Sequence, residues 1–180
     1  MASVGILPHE RILLEARLRQ LEGEQQDAAD LLREAMDQSS ETWHDNAPAD
    51  AASLESKRVA SAAKLILESL KKPDIPYPEH DSTKVAIGSL VMVSLLGADV
   101  AVVVAGDPVV YDEASLAEGL GCSGELVVVS VDAPLGAGLI DGEPGLDGSY
   151  KIAGDNEAHF SIHAVDNRSV QAFFAANTET

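Results

Sequence analysis

The chain has 180 residues, of which 46% are apolar and only 4% aromatic. It can therefore bury a core, built mainly from aliphatic side chains, and the scarcity of rings disfavours modules that stack on nucleobases. Thirty acidic residues against twelve basic ones give a formal charge of −18, which repels nucleic-acid phosphates and anionic lipids, so we expect no binding to free DNA and no membrane association.

The first predicted element is a long helix from Pro8 to about Met36. Its apolar residues recur at steps of three and four, which is the helical period. They are Leu14, Leu18, Leu21, Ala28, Leu32 and Ala35. Pro8 suits a first helical turn, and Gly23 costs about 1 kcal/mol relative to alanine without ending the helix.

A connection and a second helix follow. Residues 38–48 lose the period and collect Ser, Asp, Asn and Pro, which is typical of a reversal between helices. A second helical pattern runs from Pro48 to Leu70. Two helices of similar length predict an antiparallel hairpin over residues 1–72 with its tip near 39–48. At about 1.5 Å per residue, the arm is roughly 40 Å long.

The remainder of the chain is predicted to form a small β-rich domain. Pro73, Pro76 and Pro78 prevent further helix, so residues 73–83 read as a linker. Five runs rich in β-branched residues then predict strands over residues 84–96, 100–105, 125–131, 150–152 and 159–165. One short helix is expected at 112–120, and residues 166–180 as a loosely attached tail. The predicted fold class is therefore α+β.

The charge is unevenly divided between these two parts. Residues 1–72 carry nine basic and thirteen acidic side chains, whereas residues 73–180 carry three and seventeen. The single cysteine, Cys122, excludes an internal disulfide and fits a reducing compartment. We see no signal peptide and no apolar stretch long enough to span a bilayer, so we expect a cytoplasmic protein.

Two strings of residues resemble the Gre family of bacterial transcript-cleavage factors and their paralogues. The first, Thr42-Trp43-His44-Asp45-Asn46-Ala47, is similar to the family's hairpin tip, which reads Asp, two residues, Glu, Asn, Ala and an acidic residue. The second begins at Lys84–Ser89 and continues through Val129–Gly142, where the family has a Ser and a Pro in a loop, then a short helical turn. The order of the parts matches the family from the start to about Val165.

The resemblance implies a fold, a partner and a set of site residues. The C-terminal domain would be FKBP-like and would dock on the rim of the secondary channel of bacterial RNA polymerase, while the hairpin enters the channel. The tip near the catalytic Mg²⁺ would be Glu41, Thr42, Trp43, His44, Asp45 and Asn46. The docking loop would comprise Asp132, Pro134, Leu135, Gly138, Leu139 and Ile140.

The tip departs from the family pattern in its carboxylates. Transcript cleavage needs a second Mg²⁺ held by oxygen ligands, and Gre factors supply two acidic side chains for it. Here the second position is Asp45, the first is Thr42, and Glu41 stands beside it. A misplacement of about 1 Å can cost on the order of a hundredfold in a positioned reaction. We therefore favour a modulator that inhibits polymerase over one that stimulates cleavage.

On this reading the protein is a monomer with no catalytic residue and no cofactor of its own. Asp45 and Glu41 would meet Mg²⁺ only at the active centre of the polymerase. Without the resemblance, these carboxylates are ordinary solvated cap and turn residues, and no Cys/His spacing suggests a zinc site. Two alternatives remain, a prolyl isomerase, which lacks the aromatic residues for its pocket, and a coiled-coil adaptor that dimerises through its leucine stripe.

Overall fold

The computed structural model describes residues 5–38, 47–152 and 156–177. It divides into two compact units, one formed by Ile12–Lys71 and the other by the residues up to Arg11 together with those from Lys72 onward. Helix α1 spans Pro8–Gln38 and helix α2 spans Ala47–Leu70. Within the described ranges, no helix has an apolar stretch long enough to cross a bilayer.

The helical unit is a pair held together by a heptad pattern. Where the two helices pack together, each buries one residue in every seven. These are Leu14, Leu21 and Ala28 in α1, and Ala52, Val59 and Ile66 in α2. Between them the Gln25 side-chain amide donates to the Ser56 hydroxyl at 2.7 Å, and Glu24 lies 3.7 Å from Arg58. The residue numbers in these contacts rise along α1 as they fall along α2, so the two helices are antiparallel.

The second unit is built on a five-stranded mixed sheet. The strands are β1 (Leu90–Leu95), β2 (Ala98–Ala105), β3 (Leu126–Ser130), β4 (Asp147–Lys151) and β5 (Glu157–Asp166). Their order is β3-β2-β1-β5-β4, with β2 and β3 parallel and the other neighbours antiparallel. The helices are α3 (Glu113–Gly119), α4 (Pro134–Leu139) and α5 (Ser169–Asn177). The predicted α+β class, a helical pair followed by a small sheet domain, is confirmed.

One main core lies on a single face of this sheet. Alternate residues of β1, β2 and β5 supply it, among them Val91, Val102 and Ile162. Helix α4 adds Leu135 and Leu139 from above. The core is aliphatic apart from Phe160, as the composition predicts. Strand β2 is buried on both faces from Val100 to Ala105, which explains its unbroken apolar run.

The structure differs from the sequence prediction at both ends of this unit. Backbone hydrogen bonds run from Ile6 N–H to the Pro73 carbonyl and from Ile75 N–H to the Ile6 carbonyl, each at 3.0 Å, so the first residues pair with the predicted linker. The expected loose tail is instead the end of β5 and helix α5, which buries Val170 and Phe174.

The first strand is also shorter than expected. Residues 84–89 form turns because Gly88 has a φ of +96°, which a β-strand does not allow. The Ser89 hydroxyl accepts from Ala86 N–H at 2.8 Å and donates to the side chain of Asn167, which fixes the turn. Helix α4 corresponds to the short helical turn that the family resemblance implies, whereas α5 and a 3₁₀ turn at Pro108–Val110 were not expected.

Candidate functional site

The predicted hairpin tip lies between the end of α1 and the start of α2. Its residues Glu41, Thr42, Trp43, His44, Asp45 and Asn46 fall outside the described residues, and so do the two predicted metal-proximal carboxylates among them. The described flanks are Gln38 and Ala47. Pro48 and Asp50 lie in the first turn of α2, where a proline and an acidic side chain are both favourable.

The hairpin is packed with large side chains at one end and small ones at the other. The register set by Gln25 and Ser56 places Leu14 opposite Ile66 and Leu21 opposite Val59. Nearer the tip, the buried pair is Ala28 and Ala52. Small side chains bury less apolar surface, so the hairpin is held least firmly next to the segment that carries the tip string.

The predicted docking loop follows the carboxyl end of β3. Asp132 and Pro134 are exposed, and Gly138 and Ile140 are half-buried. Leu135 and Leu139 point into the core, with 9% and 0% of their surface exposed. The structure therefore brings all six residues into one short segment, but only part of it is available to a partner.

This loop is fastened to the chain at several points. Ala133 N–H donates to the Ser130 carbonyl at 2.9 Å, and Asp132 N–H donates to the Ser130 hydroxyl at 3.2 Å. Gly136 passes so close that an added Cβ would lie 2.1 Å from the Ser130 carbonyl oxygen. Because these contacts hold it against Ser130, the loop presents Asp132 and Pro134 in a fixed position.

The two halves of the second family string meet in the structure. Val85 N–H donates to the Gly142 carbonyl at 2.8 Å, and Asp141 N–H donates to the Val85 carbonyl at 2.9 Å. Gly142 packs closely against Ile162, because a Cβ added at position 142 would lie 2.6 Å from the Ile162 side chain. The residues that carry the resemblance therefore form one local arrangement around α4, although more than forty positions separate them in sequence.

A buried polar cluster that the sequence did not reveal anchors the first turn of α1. The Glu10 carboxylate has 0% exposure and accepts from Leu7 N–H at 2.7 Å, Gly106 N–H at 2.9 Å and the Tyr111 hydroxyl at 2.9 Å. The contact with Leu7 is half of a capping box. Burial raises the pKa of Glu10, and these hydrogen bonds oppose the shift.

His9 completes this cluster. Its Nδ1 lies 2.8 Å from the Tyr77 hydroxyl, its Nε2 lies 2.7 Å from the Tyr111 hydroxyl, and its ring stacks on Phe174 at 4.0 Å between centroids. Burial lowers the pKa of His9 to about 4, so the imidazole is neutral at pH 7. Burial also raises the pKa of Tyr111 well above its usual value, and the neighbouring Glu10 adds to that shift.

The polar groups of this cluster serve hydrogen bonding within the protein and are not arranged for catalysis. Every polar group in it is committed to a neighbour, and the Lys72 ammonium lies 2.9 Å from the Gly106 carbonyl and 3.6 Å from Asp107. The cluster has a structural role, because it holds the start of α1 against the sheet domain. Over the described part of the chain, no three His, Cys, Asp or Glu side chains are grouped so as to hold a metal ion.

No protein-family model matches the chain, and no curated protein does. Among solved structures, the chain is similar to the Gfh1 protein (GreA factor homolog 1) of Thermus thermophilus, with 18% identity, coverage of 89% of this chain and 97% of that one, and a TM-score of 0.39. Gfh1 of Thermus aquaticus gives 19% identity, 90% and 98% coverage and a TM-score of 0.37.

A third solved structure to which the chain is similar is the transcription elongation factor GreA/GreB from Nitrosomonas europaea. Its identity is 18%, the similarity covers 65% of this chain and 92% of that one, and the TM-score is 0.34. Because all three TM-scores lie below 0.5, the function has to be inferred from the chain's own residues.

Proposed function

We propose that this protein is a Gre-like regulator of bacterial RNA polymerase. It docks beside the secondary channel through the segment Asp132–Ile140 and inserts its helical hairpin, so that the tip approaches the catalytic Mg²⁺. The effect is modulation of transcription, with inhibition favoured over stimulated cleavage. The protein acts on the polymerase's own active centre in the cytoplasm and has no catalytic machinery of its own.

One observation carries this proposal. The string Thr42–Ala47, which is similar to the family's hairpin tip, lies at the joint between two long antiparallel helices, where a tip has to be. The second string supports the same conclusion, because its two parts pair with each other around α4 and the exposed Asp132 and Pro134. The two strings therefore lie in the two parts of the chain to which the proposal assigns insertion and docking.

The electrostatics support a protein partner rather than free nucleic acid. Residues 73–180 carry seventeen acidic and three basic side chains, so a basic surface of a protein is the complementary target. A strongly acidic domain also disfavours approach to the nucleic acid that such an enzyme holds. The docking interaction should therefore weaken as salt concentration rises.

The chemistry at the tip explains why inhibition is favoured. A carboxylate near a catalytic Mg²⁺ is a good oxygen ligand, and Asp45 supplies one. Stimulated cleavage also needs a second metal and an oriented water, which in the Gre pattern involve two acidic positions. Thr42 occupies the first of these. A single well-placed carboxylate can occupy or displace the metal and block nucleotide addition without assisting cleavage.

The test uses two transcription assays in parallel. The purified full chain is added to a stalled, backtracked bacterial elongation complex with Mg²⁺, and the labelled 3′ end of the RNA is followed. The same protein is added to a promoter-initiation assay. The variants are Asp45→Ala at the tip and Asp37→Ala, an exposed carboxylate on α1, as a matched control.

Reduced initiation or elongation that Asp45→Ala relieves and Asp37→Ala retains is the expected result. Cleavage that Asp45→Ala abolishes would instead make the protein a working cleavage factor, the second candidate, which the carboxylate of Asp45 at the family's Glu position favours. The absence of binding to polymerase and of any effect in both assays would refute the proposed function.

A further inference from the structure

A groove of about 460 Å³ opens on the sheet domain, before the amino end of β3. Its walls come from β1, β2 and the segment between α3 and β3. The residues that matter for its chemistry are Met92, Asp99, Ala101, Leu120, Cys122 and Glu125. None of them belongs to the predicted docking loop, which follows the other end of β3. Since β3 has five residues at about 3.3 Å each, roughly 15 Å separates the two surfaces.

The floor of the groove is apolar. Met92 and Ala101 are direct cross-strand partners of β1 and β2, and Leu120 adds to the wall. Met92 is 38% exposed, whereas its neighbours Val91 and Val93 are fully buried in the core on the opposite face. A flexible, accessible methionine is well suited to contact with an aliphatic chain from outside.

The rim of the groove is acidic. The side chain of Asp99 is 76% exposed, Glu125 is exposed, and no Lys or Arg is among the lining residues. The His163 imidazole lies beside the rim, with its Nε2 atom 3.6 Å from Asp99 Oδ1, and it carries charge only when protonated. An apolar floor under an acidic rim fits the long aliphatic stem and charged head of lysine or arginine.

An exposed leucine stands beside this groove. The tight turn between β1 and β2 is Leu96-Gly97, with φ values of 53° and 86°, and Asp99 follows two residues later. Leu96 is 85% exposed, although a leucine in the left-handed region is strained and exposes apolar surface to water. The groove and this side chain together offer an acidic pocket and an adjacent apolar contact.

We propose that this surface binds a lysine or arginine side chain carried by an amphipathic segment of a basic protein partner. The aliphatic stem lies on Met92 beside Leu120, and the charged head meets Asp99 at the rim. Leu96 contacts an apolar residue of the same segment. The surface is a second interaction site, and it does not depend on the proposed action on polymerase.

Cys122 provides a direct readout, because it lines the groove and is the single cysteine of the chain. The full-length protein is treated with iodoacetamide at pH 8 in about 0.15 M salt, which limits long-range attraction. The probes are a blocked peptide of alternating arginine and leucine and a length-matched peptide of alternating glutamate and leucine. The variants are Asp99→Asn, Met92→Lys and, as a control of equal charge change, Asp132→Asn.

The arginine peptide should slow alkylation of Cys122, and the glutamate peptide should not. Asp99→Asn should weaken the protection by about two- to fivefold, as expected for one exposed ion pair, and Met92→Lys should abolish it, while Asp132→Asn leaves it unchanged. Amide shifts in NMR spectra should cluster at residues 90–101 and 120–125. No protection, or equal losses in Asp99→Asn and Asp132→Asn, would overturn the proposal as unspecific attraction to an acidic protein.

Discussion

The Nε2 atom of His9 lies 2.7 Å from the hydroxyl of Tyr111, a residue 102 positions away in the sequence. This contact fixes the first turn of α1 against the sheet domain. Glu10 reinforces it by accepting from Gly106 N–H and the same hydroxyl. The start of the long helix is therefore fastened by buried, fully hydrogen-bonded polar groups, and it does not depend on the heptad pattern farther along.

The first prediction concerns pH. The pKa of His9 is lowered to about 4 in the folded state from 6.5 in the unfolded state. Its contribution to stability is therefore complete above pH 6.5 and is lost as pH falls toward 4, by up to about 1.4 kcal/mol per pH unit. Glu10, whose pKa is raised, acts in the opposite sense. Urea unfolding between pH 4 and 7.5 measures the slope.

A substitution of His9 isolates its contribution to the pH dependence of stability. His9→Phe keeps the stacking on Phe174 and removes the titration, so the acid-side loss of stability should shrink relative to the parent protein. The parent protein, measured in the same buffers, is the reference. An identical slope in His9→Phe would show that His9 is not held neutral by burial.

A second prediction concerns the polar pair inside the hairpin. Gln25 donates to Ser56, and the Gln25 Oε1 atom is buried without a hydrogen-bond partner among the described residues. Ser56→Ala should destabilise the helical unit by about 1 kcal/mol, because it leaves the amide donor unsatisfied as well. The double variant Gln25→Leu/Ser56→Ala should be at least as stable as the parent protein, because both polar partners are removed together.

Hydrogen exchange of the amides in α1 and α2 measures that change within the helical unit. Gln26→Leu alters an exposed neighbour that contacts Asp30 and should change exchange little. If these amides exchange as slowly in the Ser56→Ala variant as in the parent protein, the Gln25–Ser56 pair does not contribute to packing.

The third prediction compares two glycines. An alanine Cβ at Gly136 would lie 2.1 Å from the Ser130 carbonyl oxygen, so Gly136→Ala should shift the loop and cost about 1–3 kcal/mol. A Cβ at Gly23 meets nothing within 4 Å, and Gly23→Ala should stabilise α1 by about 1 kcal/mol. Denaturant unfolding of both variants measures these changes in stability. If Gly136→Ala leaves the free energy of unfolding unchanged, the loop is loosely held.

The fourth prediction separates packing from docking in the segment after β3. Leu139→Ala should destabilise the protein by about 2–5 kcal/mol because Leu139 is fully buried. Asp132→Arg should leave stability within about 0.5 kcal/mol but weaken binding to polymerase by roughly tenfold, since it reverses an exposed charge at the proposed interface.

Glu79→Arg provides the control for that experiment, because it reverses an exposed charge outside the loop. Binding is measured by titrating fluorescently labelled protein with polymerase. Equal weakening by Asp132→Arg and Glu79→Arg would indicate general electrostatic attraction and would count against docking through this loop.

The sequence predicted the elements that depend on local periodicity. Helix α1, helix α2 and the approximate positions of four strands follow from apolar spacing, and the small sheet after a Pro-rich segment follows from the change of period. Strand β4 begins at Asp147, three residues before the predicted 150–152, because its first residues are polar. The shortening of β1 depends on Gly88 adopting a positive φ, which its residue type permits but does not require.

Long-range contacts account for what the sequence could not show. Phe174 is buried because it stacks on His9, more than 160 positions away, so a short C-terminal pattern reads as a tail until that partner is known. The cluster around Glu10 likewise joins α1 to Gly106 and Tyr111. Glu10 at the third helical position, where its side chain accepts from Leu7 N–H as half of a capping box, was a local signal for the first turn.

The proposed function requires residues 39–46 to reach the catalytic metal of RNA polymerase. The most direct measurement replaces the active-centre Mg²⁺ of the polymerase with Fe²⁺ and maps where the resulting hydroxyl radicals cut the end-labelled full-length protein in the complex. We predict cuts confined to residues 39–46 and their immediate neighbours, removed by excess Mg²⁺. If the bound protein is cut elsewhere, or is not cut at all, the proposed insertion of the tip is contradicted.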